Sequence, residues 1–476
     1  MKRAGSDAAI LKVYDTLARA VSEVSTSNGQ YVRIYCCGPT VYRDAHVGNL
    51  RTFLLADLVR RTLAFSGIKS LLVQNITDVG HMSEDFEEDK IIAQSKLEKK
   101  DPYSVAREYE ARFHEDCRAL NIEAADSYPR ASECIELMID SIEKLIAAGL
   151  AYQGEDGSVY FDATSFPSYG ALSGNRLDAL KPGHRYEFTE AGAKRFHADW
   201  ALWKTAGNRT EMIWETPWGR GFPGWHIECS AMSLKYLDGK VDLHIGGIDL
   251  RFPHHENERA QSNSLIKNLK KSEEEAVTLW LHGEHLLFEG KKMSKSSGNV
   301  VLVKDVLERG IDPLAIRFCF MENRYRSQMD LSWNSIQSAH FILQRWRKSY
   351  QDWRNSPANY SDSVANLVAE VSGLFNDDLD TPKAMILLRG VERADLSPGE
   401  KRAIYEKLDS LFGLNLLLPL QQKGLSSEAQ KLLEKRERAR EERDFELSDK
   451  LRDELLQLGI EVRDTSEGQE WGWKIS

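Results

Sequence analysis

Tyr31-Val32-Arg33-Ile34-Tyr35-Cys36-Cys37-Gly38-Pro39-Thr40-Val41-Tyr42, continuing through Arg43-Asp44-Ala45 into His46-Val47-Gly48-Asn49, is the stretch whose reading decides the fold. Tyr31 to Cys36 alternates bulky and polar side chains and predicts a strand. Cys37-Gly38-Pro39 then turns the chain. After Asn49 the apolar residues Leu50, Phe53, Leu54 and Leu58 recur at helical spacing, and Gly67 after Ser66 suits the helix end. Ser70 to Ile76 predicts a second strand, which runs into Asn75-Ile76-Thr77-Asp78. Strand, glycine-containing turn, helix and strand make a βαβ unit. Such a unit implies a parallel sheet with ligands at the carboxyl ends of its strands.

The turn also carries chemistry. A helix N-terminus offers unpaired N–H groups and the positive dipole end to phosphate, and Gly48 permits close approach. His46 in the same turn can hydrogen-bond charge developing on a transferring phosphoryl group. Far along the chain, Lys292-Met293-Ser294-Lys295-Ser296 sets two ammonium groups among hydroxyls, with Ser297-Gly298-Asn299 following. Lysine, a point charge on a long stem, suits a mobile clamp over a triphosphate. Alone, each motif is also a plain turn or a solvated basic loop. Together they read as two halves of a nucleotide site.

A third constellation is Cys37, Cys229, His254 and Glu258. His254 and Glu258 are four apart and share a helix face, and the four groups all suit zinc. Their scattered spacing equally fits buried cysteines beside a helix-surface His/Glu pair. His226, His244 and His255 lie nearby and read as structural or supporting groups.

Around these motifs the pattern changes twice. From Ser83 to about Ala193 it becomes helical, with Asp101-Pro102 starting one helix and Ile135, Met138, Ile139, Ile142 and Ile146 lining another up to Gly149. A hairpin is expected at Glu155-Asp156-Gly157. This reads as an insertion between two halves of the sheet, the second half resuming near Asp199. Beyond Asn299 the chain is mostly helical to about Leu418. Ser332 caps a helix bearing Ile336, Leu343 and Trp346, and Arg345, Arg347 and Lys348 beside them fit contacts to a nucleic-acid backbone as well as they fit a solvated helix face. Thr381-Pro382 opens another helix, and Asp377 to Asp380 before it is expected to be a solvated cap or loop. Ser427-Glu428-Ala429-Gln430 is a capping box, a helix follows from Phe445 to Leu456, and a short strand is expected after Gly459.

The bulk numbers bound the rest. At 476 residues several domains are expected. A net charge of −10 excludes wholesale coating of nucleic acid or membrane but permits a polyanion at a local basic face. Six unevenly spaced cysteines are unlike a disulfide framework and point to reduced thiols. With no secretory pattern and no long apolar run, the reading is of a soluble, cytoplasmic protein.

The motifs resemble the class I aminoacyl-tRNA synthetases, and among them the cysteinyl-tRNA synthetase family. The residues that carry the resemblance are Cys37–Tyr42, His46–Asn49, Asn75–Asp78, Gly224–Met232, His244–Asp249, Phe252–Glu258 and Lys292–Ser296. It implies an α/β protein: a Rossmann-type parallel-sheet catalytic domain split by a connective insertion, then an α-helical C-terminal region. The expected divisions are 1–115 and 196–290 for the catalytic halves and 116–195 for the insertion. The lysine loop and stem-contact region would occupy 291–355, a helical anticodon-binding domain 356–423, and a small C-terminal module 424–476. The implied activity is attack of the cysteine carboxylate on the α-phosphorus of ATP, releasing pyrophosphate, followed by transfer of cysteine to the terminal adenosine of its tRNA.

By position, the resemblance makes His46, Asn49, Lys292 and Lys295 catalytic, with Pro39, Thr40, Gly48, Gly246, Asp249 and Ser296 as further ATP contacts. Trp225, Thr77 and His244 fall on the amino-acid side. Cys37, Cys229, His254 and Glu258 would hold one zinc ion that selects the substrate thiol, and magnesium would accompany ATP. A monomer is the family expectation. An alternative is a related cysteine ligase that uses the same adenylation on a small aminosugar acceptor, against which the helical C-terminal third argues. A non-catalytic RNA-binding relative is disfavoured by the intact motifs.

Overall fold

A short antiparallel hairpin, β1 (Lys12–Asp15) and β2 (Ala20–Glu23), precedes the βαβ unit of β3 (Val32–Cys36), α1 (Val47–Phe65) and β4 (Ser70–Gln74). The computed structural model describes residues 10–79, 89–180, 193–270, 275–293, 299–419, 427–458, 460–465 and 468–473. β3 and β4 are parallel, with Ile34 beside Leu72. All five residues of β3 are buried, the polar Arg33 included. The strand is covered on both faces, and Asp242 accepts the Arg33 backbone N–H at 2.8 Å and lies 3.4 Å from its Nε.

After β4 come the helices α2 (Lys90–Glu98), α3 (Pro102–Ala119) and α4 (Ile135–Ala147). Asp101 caps α3 ahead of Pro102, as the sequence predicts. Next comes an antiparallel sheet of β5 (Ala151–Gln153), β6 (Val159–Phe161), β7 (Trp200–Thr205) and β8 (Gly221–Pro223). β7 pairs with β6 and β8 with β7, so this sheet spans the expected boundary at 195 and runs on to Pro223. A strand from a later part of the chain closes the hairpin edge, which local periodicity does not reveal.

The parallel sheet resumes with α5 (Trp225–Tyr236), β9 (Val241–Gly247), α6 (His254–Lys270) and β10 (Val277–Gly283). Its strand order is β10-β9-β3-β4, so β3 and β9 from the two halves lie side by side. β11 (Leu286–Phe288) and β12 (Lys291–Lys292) then lead to α7 (Val303–Glu308), α8 (Leu314–Met321), β13 (Met329–Leu331) and α9 (Trp333–Trp353). Ser332 caps α9, and Ile336, Leu343 and Trp346 are buried along one face. α10 (Asp362–Asn376), α11 (Thr381–Gly390) and α12 (Pro398–Phe412) complete the large helical part. A small module of α13 (Ser427–Glu441), α14 (Phe445–Gln457) and the hairpin β14 (Ile460–Thr465) and β15 (Gly468–Trp473) has its own core of Ala429, Leu433, Leu455, Ile460 and Val462.

Two expectations are corrected in this region. Asp378 and Asp380 are not solvated but buried, at 3% and 1% exposure. They are held by Arg324 and Arg326. Arg347, grouped with Arg345 and Lys348 as a backbone contact for tRNA, is also buried. It pairs with Asp312 and donates to the Asn415 and Leu414 carbonyls, so it pins the chain after α12.

α1 is buried almost all round because the helical part packs on the side away from the sheet. Its Asp57 Oδ2 lies 2.8 Å from Arg61 Nε and 2.7 Å from Arg317 Nη2, all three inaccessible or nearly so. Arg317 also donates to the Phe412 carbonyl at 2.7 Å, joining α1, α8 and the end of α12. Removing Arg317 would leave Asp57 paired with Arg61 but would break one buried ion pair and strip the Phe412, Leu120 and Asn121 carbonyls of a buried donor. Arg317→Met is therefore expected to lower stability by about 3–5 kcal/mol, read as a lower urea midpoint. An unchanged midpoint would contradict this role.

Candidate active site and metal centre

The site begins where β3 and β9 end together. The Cys37 N–H donates to the Ile245 carbonyl at 3.3 Å, across the junction of the two halves. Gly38 is required there, because a Cβ would lie 1.6 Å from the Asn75 carbonyl oxygen. Its N–H instead donates to Asn75 Oδ1 at 2.9 Å. The cavity above has a volume of about 510 Å³ and draws its walls from both halves and from the segment at Lys292 and Met293.

His46 caps α1 in an unusual reciprocal pair. Its Nδ1 accepts from the Asn49 backbone N–H, and Asn49 Oδ1 accepts from the His46 N–H, both at 3.2 Å. Nδ1 is thus an acceptor, and the neutral ring carries its proton on Nε2. Burial, helped by Arg43 and opposed by Asp249, lowers the His46 pKa to about 4. The ring is therefore a neutral donor at physiological pH. Asn49 spends its oxygen on the cap, which leaves its NH2 to donate.

The two signature stretches touch. A Cβ on Gly48 would come within 2.8 Å of Met293 Cε, so Gly48 makes room for the methionine of the lysine motif. Val47 N–H donates to the Val301 carbonyl at 2.9 Å, and Asn299 Nδ2 donates to the Lys292 carbonyl at 3.2 Å. The downstream flank of the motif is thereby tied to the start of α1, and the upstream flank to the downstream one. Lys292 is exposed and lines the cavity. Lys295 and Ser296 lie outside the described residues.

Behind the cavity lies a cluster of buried metal-ligating groups. Cys37, Cys229, His254 and Glu258 place one ligand atom each within 4.8 Å of all the others. Cys37 Sγ is 3.8 Å from Cys229 Sγ and 3.6 Å from Glu258 Oε1, and His254 Nε2 is 2.8 Å from Glu258 Oε1. Bonds to zinc of about 2.0–2.3 Å place tetrahedral ligand atoms roughly 3.3–3.8 Å apart, so the cluster is near that scale. His226 Nδ1, 2.8 Å from His254 Nδ1, holds that ring with Nε2 toward the cluster. A second set, Cys37, His244, His255 and Glu258, meets the same distance test. It shares Cys37 and Glu258 with the first, and both its imidazole Nε2 atoms are 3.4 Å from Cys37 Sγ.

The electrostatics favour a cation. Burial pushes the Glu258 carboxyl well above its usual range, and burial together with Cys229 does the same to the Cys37 thiol. Burial and neighbouring imidazoles keep His244 and His255 neutral, the form that ligates metal. Glu258 Oε2 and His244 Nδ1 are buried with no hydrogen-bond partner among the described residues. Thiols and a carboxylate gathered out of water without a counterion are costly, and a divalent cation removes that cost.

Comparison with known proteins bears on what such a site serves. The family described as "tRNA synthetases class I (C) catalytic domain" matches residues 23–341, and "Cysteinyl-tRNA ligase anticodon binding domain" matches 422–471. A cysteine–tRNA ligase of Thermus thermophilus is 40% identical over 485 aligned positions, covering 97% of this chain and 99% of that one. The chain belongs to the cysteine–tRNA ligase family. A family member from Thermococcus onnurineus is 38% identical, with 97% of this chain and 98% of that one covered. Among solved structures, Mycobacterium tuberculosis methionyl-tRNA synthetase with methionyl-adenylate superimposes with a TM-score of 0.55 at 15% identity, covering 83% of this chain and 92% of that one. A LeuRS–tRNA–LeuAMS complex from Agrobacterium radiobacter gives 0.60 at 10% identity, covering 82% and 84%. These two likenesses show the class I fold.

Within this family fold, the cavity is lined by Pro39, Thr40, His46, Gly48 and Asn49, and by Asp249 and Trp225 from the second half. Trp225 stacks on the His254 ring, 4.1 Å between centroids, so the wall of the cavity rests on the metal cluster. Three expected residues sit elsewhere. Gly246 lies beneath the cavity, where a Cβ would strike the His255 ring at 2.3 Å, and its neighbour Gly247 reaches the wall. Thr77 is buried and donates to Glu228 Oε2 at 3.1 Å. His244 stacks on Trp280 beside Cys37. Arg51, which sequence reasoning missed, lines the cavity and donates to the carbonyls of Glu284, His285, Arg324 and Ser327. Its position in the first turns of α1, just after Asn49, was the available signal.

The His46 pKa gives a direct check. Its ring resonances are expected to titrate at about 4 and to stay flat between pH 5.5 and 8. A midpoint at the ordinary histidine value of about 6.5 would contradict the neutral-donor assignment.

Proposed function

We propose that this chain activates cysteine with ATP and transfers it to the 3′-terminal adenosine of tRNA(Cys). The observation that carries this reading is the adjacency of two sites on one strand-turn-helix. Cys37, in the metal cluster, and His46, at the helix start, both border the same cavity. An amino acid held by its thiol at the first would present its carboxylate to a nucleotide held at the second.

His46 Nε2–H and the Asn49 amide would donate to phosphate oxygens as charge develops there, aided by the N–H groups of α1. Lys292 and Lys295 would neutralise the departing pyrophosphate, with magnesium accompanying ATP on charge grounds. Gly247 and Asp249 are the better-placed adenosine contacts, with Gly246 serving the packing of His255. Trp225 would wall the amino-acid pocket, with Thr77 and His244 supporting its floor. Cys37, Cys229, His254 and Glu258 are the residues assigned to zinc, because this set supplies two thiolates and an ordered imidazole. Zinc bound there supplies affinity for a substrate thiolate, which serine and alanine cannot match. Loss of such a bond discriminates more than the roughly 1–3 kcal/mol of one methylene in an apolar pocket.

The chain is divided in this reading as the sequence suggests, with the insertion's sheet carried to Pro223. The lysine motif and stem-contact region span 291–355, and the anticodon-binding parts are the helical 356–423 and the module 424–476. A cytoplasmic monomer is the expected state. No described helix is long and apolar enough to cross a membrane.

Cysteine-dependent exchange of pyrophosphate into ATP, followed by charging of tRNA(Cys), tests the reading. Both activities are expected. Absence of exchange would overturn it, and exchange without charging would favour the small-acceptor ligase. Cys229→Ser is expected to lose most of its zinc and to fall about 100-fold or more in selectivity for cysteine over serine. Unchanged metal content and selectivity would contradict the zinc assignment.

A further inference from the structure

The turn from Arg324 to Ser327 faces two ways. On one side its backbone meets the cavity wall. Arg51 Nη2 donates to the Arg324 and Ser327 carbonyls at 3.1 and 2.9 Å, while Nη1 donates to Glu284 and His285 at 2.7 and 3.0 Å. The Glu284 N–H in turn donates to the Tyr325 carbonyl at 2.8 Å. Arg51, Glu284 and His285 all line the cavity. One guanidinium thus fixes the end of β10 against this turn.

On the other side the turn's side chains meet two buried carboxylates. Asp378 Oδ1 accepts from the Tyr325 hydroxyl and from the Tyr14 N–H at 2.9 Å, and Asp378 Oδ2 accepts from Arg326 Nε at 2.8 Å. Asp380 pairs with Arg324 and with Lys383, and its Oδ1 caps α11 through the Lys383 N–H at 3.4 Å. The connection bearing them contains two successive non-glycine residues in the left-handed region, Asp378 at φ 55° and Leu379 at φ 50°. Left-handed backbone is unfavourable for a leucine and persists where surrounding contacts over-determine it. Here those contacts are the buried Leu379 side chain, the Asp378 N–H to the Lys12 carbonyl at 3.0 Å, and the carboxylate pairs.

We propose that Asp378 and Asp380 are positioning residues for the nucleotide side of the cavity, acting through the Arg324–Ser327 turn on the carbonyls that hold Arg51. The helical part of the chain would thereby set the wall facing ATP. The amino-acid side is set separately, by Trp225 and by the metal cluster that Cys37 shares with α5 and α6. This inference rests on the assignment of the cavity to ATP.

The test uses the full chain in cysteine-dependent pyrophosphate exchange, with ATP and cysteine varied separately. Asp378→Asn keeps the side-chain shape and removes the charge. It is expected to raise KM for ATP about 3- to 30-fold while leaving KM for cysteine within about twofold. Tyr325→Phe removes one hydrogen bond from the same carboxylate, and a smaller shift in the same direction is expected. Arg51→Lys keeps a charge but loses the fork that spans four carbonyls. Because both changes act on one path, Asp378→Asn combined with Arg51→Lys should cost less than the product of the single effects. An unchanged KM for ATP in Asp378→Asn, parallel shifts in both KM values, or multiplicative effects in the double variant would each overturn the proposal. Wild-type protein without cysteine-dependent exchange would instead overturn the functional reading, and this inference with it.

Discussion

Cys37 hydrogen-bonded to Ile245 is the interaction on which the rest of the site depends. It closes β3 against β9, and so joins two halves of a sheet separated by the whole insertion. From that seam Cys37 reaches Cys229 on α5 and Glu258 on α6, while the following turn delivers His46 to the start of α1. Parallel strands end their carboxyl termini together, and the groups following them converge without any further device. Moving the seam by one residue would turn Cys37 away from the cluster and bring Cys36 in its place.

Helix α1 carries the consequences in both directions. Its first turn lines the cavity, Arg51 soon after holds the neighbouring wall, and Asp57 and Arg61 are locked to Arg317 and the end of α12. A helix buried this completely cannot shift one end without disturbing the other, because close-packed interiors transmit displacement. The polar groups along α1 are therefore structural joints between the catalytic and helical parts. Their cost of desolvation is met by ion pairing and by several backbone carbonyls, which gives them direction as well as energy.

The βαβ unit, the caps at Asp101 and Ser332 and the apolar faces of α4 and α9 were legible because local periodicity and capping chemistry determine them. The members of the metal cluster were legible as residue types, but their meeting depends on the β3–β9 seam, which no local pattern encodes. The same limit explains the misread Asp377–Asp380 run. Three carboxylates just before a helix look solvated in sequence, yet Arg324 and Arg326 arrive from elsewhere to bury two of them. Arg347 beside Arg345 and Lys348 is the mirror case, a cation on a helix that faces inward to carbonyls rather than outward to nucleic acid. The sheet of β5 to β8 was not legible either, because β7 pairs with a strand that lies far before it in the chain.

The central claim is that the zinc-binding set contains both Cys37 and Cys229, next to the nucleotide turn. X-ray absorption at the zinc edge of the purified chain tests it most directly, since the two overlapping clusters differ in sulfur count. The account predicts two sulfur neighbours at about 2.3 Å and two nitrogen or oxygen neighbours at about 2.0–2.1 Å, with one further sulfur on adding cysteine. A single sulfur with three nitrogen or oxygen neighbours, unchanged by cysteine, would place the metal on Cys37, His244, His255 and Glu258 and contradict it.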